Sequence, residues 1–434
     1  MKKTEYWESI KSHRRLEVGE ILETKVGNKM CTAPFNSLYI GQYNRVAHCC
    51  VSNDAIGHTN QNKIHEIMDG EYSKNIRKQM LQQKYHEKHC YNCLKFEQSS
   101  GKQHPVRNFF KDYPFHRANV KTNGTIKKHE IQFVDLLFSN KCNFACMGCT
   151  PELSSTIADN YMDAYKSINS SPMYDNYTKG GIINWENNND DVINFIIEHQ
   201  DTIKRIHLNG GEPWMQVGVH KLLDKMLEHG LNEKIRLWTH TNGSIRKYKG
   251  VNILDDYLKH WGKNCDINLS HDLHYEKGEY VRYGMKTKKW ESTLRRIQET
   301  EANVSINSSY CIFSALHIVD LYKYYRETIN FQGPLGMNMW VGPQPFSAPI
   351  AQIDPNIKKQ AKLQLKMLAD LIEHDDNCSW NISALKGFLN TPWDEEEQQK
   401  AQVKFRNGID AFDKARNTNF LQTFPELAGL YYLN

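Results

Sequence analysis

The stretch Lys141-Cys142-Asn143-Phe144-Ala145-Cys146-Met147-Gly148-Cys149 sets three thiols in C-x3-C-x2-C spacing, directly after an apolar strand-like run, Ile131 to Phe138. Thiols this close in sequence can converge on one face of an iron–sulfur cube and ligate three of its four irons. No fourth cysteine follows nearby. One iron is then left for a ligand that is not protein, and an open metal position is where metal sites do chemistry. A zinc knuckle and unligated core thiols are the alternatives. Structural zinc takes four ligands from paired C-x2-C or Cys/His sets. Between Thr150 and Gln200 the one further candidate is His199.

Length and composition bound the rest. At 434 residues the chain is longer than one average domain. A net charge of +5 over that length is too small for a nucleic-acid footprint. Most of the eleven cysteines fall in two groups whose spacing is of metal-ligand type, not a disulfide framework. The N-terminus, Met1-Lys2-Lys3-Thr4-Glu5, leads into a charged stretch without an apolar core, and no run is long enough to span a membrane. A soluble, cytoplasmic protein is the expectation.

A second motif, Leu208-Asn209-Gly210-Gly211-Glu212-Pro213, follows a β-type run (Lys204 to Leu208) about sixty residues past the cysteines. Together the two resemble the radical S-adenosylmethionine (radical SAM) superfamily, with its C-x3-C-x2-C after the first barrel strand and GGEP after the second. The resemblance implies that Cys142, Cys146 and Cys149 hold a [4Fe–4S] cluster whose open iron is chelated by SAM. Gly210, Gly211, Glu212 and Pro213 would approach the methionyl ammonium. Thr241-Asn242-Gly243 looks like the family's T-N-G segment. Ser270 and Asp272, after the fourth strand, stand where the family contacts the ribose, and Arg282 matches an arginine near the SAM carboxylate. His271 and His274 are possible proton donors, though a lone loop histidine is more often structural. The implied reaction is reductive cleavage of SAM to a 5′-deoxyadenosyl radical that takes a hydrogen from a substrate. A reductant such as flavodoxin or ferredoxin would supply the electron. Gly148 departs from the pattern, since a bulky residue usually precedes the third cysteine; Met147 or Phe144 would fill that space.

From Ile131 strands alternate with helices. Candidate strands are Ile131–Phe138, Lys204–Leu208, Ile235–His240, Asp266–Ser270, Asn303–Ser308 and Met337–Val341. Helical spacing recurs in Asp191–His199, Val217–His229, Ile253–Trp261, Trp290–Glu299 and Leu316–Tyr325. This predicts an α/β fold with a parallel sheet and right-handed crossovers. The resemblance makes it a partial (β/α)6 TIM-type barrel over residues 131–345, with its site at the C-terminal ends of the strands. Residues 346–434 read as a helical extension, either a lid or a covering layer. Its amphipathic segments are Lys359–His374, Phe405–Arg416 and Phe420–Leu430.

Residues 1–100 carry the other cysteine group: Cys31, the pair Cys49-Cys50, and Cys90-Tyr91-Asn92-Cys93. It resembles a twitch domain, the shorter relative of the SPASM domain, which binds an auxiliary [4Fe–4S] cluster. Here it precedes the barrel, whereas such domains commonly follow it. The resemblance implies ligation by Cys31, Cys49, Cys90 and Cys93. Asn44 replaces the glycine found five positions before the ligand; Asn is the next most tolerant residue of a left-handed turn. Counting from it selects Cys49 over Cys50. A zinc ribbon would also use four cysteines ending in C-x2-C. Cys265, Cys311 and Cys378 are isolated and read as core thiols. Residues 101–130 read as a basic, aromatic linker with a turn at Asn123-Gly124.

Family analogy favours oxidative modification of a small polar metabolite or a peptide. Two alternatives stay open. One is a nucleotide- or RNA-modifying enzyme, suggested by Arg107, Lys111, Arg117 and Lys121 in the linker. The other is a non-catalytic iron–sulfur protein.

Overall fold

A computed structural model describes residues 29–169, 171, 174, 189–339 and 344–432. The N-terminal stretch from Met1 and the expected strand end at Val341 lie outside them. Three short strands come first: β1 (Ser37–Ile40), β2 (Arg45–Ala47) and β3 (Gly57–His58). Six more follow: β4 (Phe133–Leu137), β5 (Arg205–Asn209), β6 (Arg236–Thr241), β7 (Cys265–Ser270), β8 (Asn303–Tyr310) and β9 (Leu335–Met339). All belong to one nine-stranded sheet, ordered β9-β8-β7-β6-β5-β4-β1-β2-β3. Strands β4 to β9 are parallel, each paired with the next in the chain. Parallel neighbours need crossovers, and helices supply them.

The helices that matter below are α1 (Ile64–Met68), α2 (Glu71–Leu81), α3 (Tyr91–Ser100), α4 (Met162–Ile168), α5 (Asn189–Glu198), α6 (Val217–Glu228), α7 (Thr287–Gln298), α8 (Pro355–Ile372) and α9 (Glu395–Arg416). One face of each barrel strand packs under this helical layer: Val134, Leu136, Ile206, Leu208, Leu237, Ile267, Leu269 and Ile306 are buried with Val192, Leu222 and Leu294. The other face carries Asp135, His207, Trp238, His240 and Asn268. Parallel strands covered on both sides are normally apolar throughout. These alternate, so the barrel encloses a polar interior.

Three expected helices differ. Ile253–Trp261 is a string of π and 3₁₀ turns, Ile253–Tyr257 and Leu258–His260. Asp256 accepts from the Asn252 N–H at 2.7 Å, a local bond that competes with helix geometry. Leu316–Tyr325 shortens to Ile318–Lys323 and passes into a π turn. Phe420–Leu430 is interrupted at Pro425, which has no N–H to donate.

The N-terminal cysteine region, expected as a separate unit, shares the barrel's sheet. β1 pairs in parallel with β4, Ser37 opposite Phe133, and β2 and β3 extend the edge antiparallel. Nor are residues 101–130 an extended linker. Phe109, Phe110 and Tyr113 pack on Phe133 with ring centroids 4.9, 5.8 and 5.5 Å away. Four aromatic side chains have more apolar surface to bury than a solvated connector allows. The C-terminal extension is a covering layer. Gly408 of α9 lies so close to α4 that a Cβ there would come within 2.2 Å of Ile168. Among the described residues, no helix is long and apolar enough to cross a membrane.

The Asn123-Gly124 turn is present and packed. Gly124 has φ +87°, and its carbonyl accepts from the buried Arg77 guanidinium at 2.6 Å. A Cβ on Gly124 would lie 2.0 Å from the Lys74 carbonyl, whereas one on Gly101 (φ +64°) would meet nothing within 4 Å. Gly124→Ala should therefore cost about 2 kcal/mol or more, and Gly101→Ala only the left-handed strain of about 1 kcal/mol. Urea midpoints of the two variants check this; equal losses would refute the packing argument.

Candidate active site

The cysteine loop leaves β4 and is held from three sides. Thr156 donates to the Cys142 carbonyl at 2.6 Å, and the Ser155 hydroxyl accepts from the Cys142 N–H at 3.1 Å. A two-residue antiparallel ladder sets Cys146 opposite Arg282 and Ala145 opposite Tyr283. The GGEP segment closes the third side. The Glu212 N–H donates to the Lys141 carbonyl at 2.7 Å, and a Cβ on Gly211 would lie 2.3 Å from that oxygen. Gly210 has φ +112°. Both glycines are thus required by the fold itself, apart from any ligand.

Glu212 is fully buried and does not point into open space. Its carboxylate accepts from the Thr241 hydroxyl at 2.8 Å, the Asn242 N–H at 2.7 Å and the Trp214 N–H at 3.2 Å. Asn242 in turn donates to Asn143 in the cysteine loop at 3.0 Å, and Asn143 donates to Ser244 at 2.9 Å. The T-N-G segment is therefore a cross-link between the ends of β5 and β6 and the cysteine loop. Pro213 opens a 3₁₀ turn behind it. Burial raises the Glu212 carboxyl to about 7 despite those three donors.

Arg282 pairs with Asp272 at 2.8 Å, both nearly buried, and Asp272 also accepts from the Ser309 N–H at 2.8 Å. Both Asp272 oxygens are engaged within the protein, which leaves Ser270 as the half-exposed polar group at the end of β7. His271 is wholly buried, bonded to the Tyr325 hydroxyl at 2.9 Å and stacked on Trp290. Its Nε2 is buried without a protein partner.

Sequence reasoning missed Arg416, at the end of α9. It donates to the Ala145 carbonyl at 2.6 Å and lies over Phe412, Tyr283 and Tyr161, 4.2, 5.0 and 5.7 Å from their centroids. Burial lowers it to about 10. Nothing in the local sequence distinguishes it from a surface helix cation, because apart from Phe412, one turn back, its partners are more than a hundred residues away. Met147, whose sulfur lies 2.9 Å from the Arg416 guanidinium, is buried, and so is Phe144.

The thiols of Cys142, Cys146 and Cys149 sense one another. Burial and the neighbouring sulfurs push Cys142 well above the ordinary range and Cys149 up to about 12. Burial also raises Cys146, while the Arg282 and Arg416 cations beside it pull the other way. The Phe144 N–H reaches the Cys142 sulfur at 3.5 Å.

A second thiol set, Cys31, Cys49, Cys90 and Cys93, lines a small cavity together with His48, His89 and Arg107. Asn44 has φ +63°, the left-handed turn expected before Cys49. Cys50 is outside this cavity. Burial raises Cys49 far above normal and Cys90 to about 12. Arg107 forms a buried ion pair with Glu97 at 2.6 Å, so this cation of the basic segment is a wall of the cavity and not a surface for nucleic acid. Both ring nitrogens of the buried His89 lack a protein partner.

Beside that cavity lies the polar interior. His207 Nδ1 is 3.0 Å from the Asp135 carboxylate, the two residues 5% and 3% exposed. The His207 ring stacks on Trp238 at 4.0 Å, and His240 is 4.9 Å away. His207 Nε2, His240 Nε2 and Asn268 Oδ1 are buried without a protein partner. Cys49 and Trp238 pack against one aromatic cluster with Phe109 and Phe133, so the cavity abuts this interior. These residues were legible only as polar positions alternating within β4 to β7.

Residues 31–94 match the family model of an iron–sulfur cluster-binding domain, SPASM, and residues 133–268 that of a 4Fe-4S single cluster domain. Both matched models describe iron–sulfur cluster domains. Among solved structures, this chain is similar to anSMEcpe with bound AdoMet (18% identity, TM-score 0.37, 56% of this chain and 60% of that one). It is also similar to SuiB of Streptococcus suis bound to S-adenosylmethionine (17%, 0.37, 58% and 49%). A third is TsrM, a radical SAM methyltransferase from Kitasatospora setae (13%, 0.31, 51% and 39%). The chain spans less than two thirds of the length of each. No curated protein matches it.

The thiol sets suit iron–sulfur clusters. Among the described residues, the one trio of His, Cys or carboxylate ligand atoms within 4.8 Å of one another is His65, Glu198 and His199. A tetrahedral zinc with Zn–S bonds of about 2.3 Å would hold its sulfurs about 3.8 Å apart. Neither thiol set is drawn in that tightly. A multi-iron cluster spans a wider set of thiols, and its charge would hold them as thiolates.

The raised Glu212 carboxyl has a thermodynamic consequence. The folded state holds its proton more tightly than the unfolded chain, so stability from this group is full below about pH 4.5 and is lost as pH rises to about 7. Across that window the decline is about 1.4 kcal/mol for each pH unit. Glu212→Gln should flatten it in urea midpoints between about pH 5 and pH 8; an unchanged pH profile would contradict the assignment.

Proposed function

We propose that this chain is a radical SAM enzyme that oxidises a polar substrate inside the barrel, with Asp135 and His207 as its proton acceptor. In this reading Cys142, Cys146 and Cys149 hold the cluster that binds SAM, and Cys31, Cys49, Cys90 and Cys93 hold the auxiliary one. When bound, the cluster and SAM supply a radical able to remove a hydrogen atom from carbon. The chain itself supplies orientation, dryness and a base.

One observation carries this reading: a buried, unpartnered imidazole nitrogen in a polar interior whose Trp238 wall the auxiliary thiol set adjoins. His207 Nδ1 faces the Asp135 carboxylate at 3.0 Å, stacking on Trp238 sets the ring's plane, and Nε2 is left without a protein partner. His240 Nε2 and Asn268 Oδ1 add further unmatched polar atoms. Such a lining favours a substrate rich in hydroxyl or amino groups, in keeping with a small polar metabolite or a peptide. Oxidation of a C–H next to O–H or N–H releases one proton, which Nε2 can accept. The auxiliary site against the Trp238 wall supports an electron acceptor there. Flavodoxin or ferredoxin is the proposed reductant, and a reducing cytoplasm the proposed setting.

Anaerobic reconstitution followed by dithionite and SAM tests the proposal. About eight iron and eight sulfide per chain are expected, with 5′-deoxyadenosine formed and Cys146→Ala abolishing it. Transfer of deuterium from labelled candidates into 5′-deoxyadenosine identifies the substrate. With it in hand, His207→Gln should still form 5′-deoxyadenosine but lower oxidised product by about 10²-fold. Four iron with one zinc would remove the auxiliary cluster from the account, and product unaffected by His207→Gln would remove the base.

A further inference from the structure

His199, the one histidine near the C-x3-C-x2-C in sequence, takes no part in that site. It follows α5, beyond which Lys204 pairs with Gln132 before β4, so it lies at the opposite end of the strands from the cysteine loop. There it meets Glu198 and, from α1 of the cysteine-rich region, His65. His65 Nε2 is 3.1 Å from the Glu198 carboxylate, and one ligand atom from each of the three lies within 4.8 Å of the other two.

We propose that His65, Glu198 and His199 form a binding site for a divalent first-row transition metal of the zinc class, pinning α1 to α5. Ring orientation supports it. His199 Nδ1 bonds to the Phe195 carbonyl at 2.9 Å, so Nδ1 carries the proton and Nε2 keeps its lone pair. A backbone carbonyl on the second nitrogen is how metal-ligating imidazoles are commonly set. Both rings rest on Phe195, His199 stacked at 4.2 Å and His65 edge-on at 5.2 Å, which restrains their rotamers. Two imidazoles and one carboxylate form a borderline donor set that suits zinc, while calcium and magnesium take all-oxygen shells. His65 and Glu198 are 45% and 61% exposed, so water can complete the shell. The neighbouring His129 is paired with Asp69 at 3.0 Å and is not needed as a ligand.

The metal would join side chains 133 positions apart, across the boundary between the cysteine-rich region and the barrel. That role is independent of SAM chemistry.

The test uses the reconstituted protein with both clusters in place, titrated anaerobically with Zn²⁺ alone by calorimetry and assayed for bound zinc after desalting. One zinc per chain is expected, with affinity at least tenfold weaker in His65→Ala and in His199→Ala. Iron content should be the same in all three proteins, which separates this site from the clusters and confirms folded variants. No zinc uptake by the parent protein, or equal uptake by parent and variants, would overturn the proposal and leave His65–Glu198 an ordinary surface pair.

Discussion

The structure around the cysteine loop depends on one buried carboxylate. Glu212 gathers the Thr241 hydroxyl and the Asn242 and Trp214 N–H groups, while its own N–H binds the Lys141 carbonyl. An ungathered carboxylate at this depth would be very costly. With four hydrogen bonds around it, the residue fastens the ends of β5 and β6 to the loop that carries Cys142.

Seen from that fastening, the other parts of the site are supports. The Arg282–Asp272 pair backs Cys146 from the ladder side, and Arg416 reaches the same loop from α9. The C-terminal layer is therefore part of the site. The N-terminal cysteine region is likewise integral, because β1 adds to the barrel sheet beside β4. That pairing brings the cavity of Cys31, Cys49, Cys90 and Cys93 against the aromatic wall that ends in Trp238. A cysteine-rich module placed before the barrel in sequence thus reaches the Trp238 wall of the barrel interior.

Motif spacing locates the residues but not their duties. The motifs mark Glu212, Thr241 and Asn242 as cofactor contacts, yet their side chains chiefly bond one another and Asn143. Asp272, placed by its motif at a ribose, is occupied by Arg282 and Ser309. In both cases the local pattern encodes a geometry of turns, and the partner that engages each side chain lies far along the chain. The aromatics of residues 101–130 show the converse: read locally they suit a connector, yet their apolar area is buried on Phe133.

Sequence alone determined what periodicity and close spacing encode. That includes six strands alternating with helices and three thiols close enough in sequence to share one site; the choice of Cys49 over Cys50 came from the family resemblance. Tertiary structure alone decided what depends on meetings between distant segments. The pairing of β1 with β4, the contact of Arg416 with the cysteine loop, and the union of Asp135 with His207 in a polar interior are of that kind. A hydrogen bond or a buried face leaves a local mark only when both partners are neighbours in the chain, and in these three they are not.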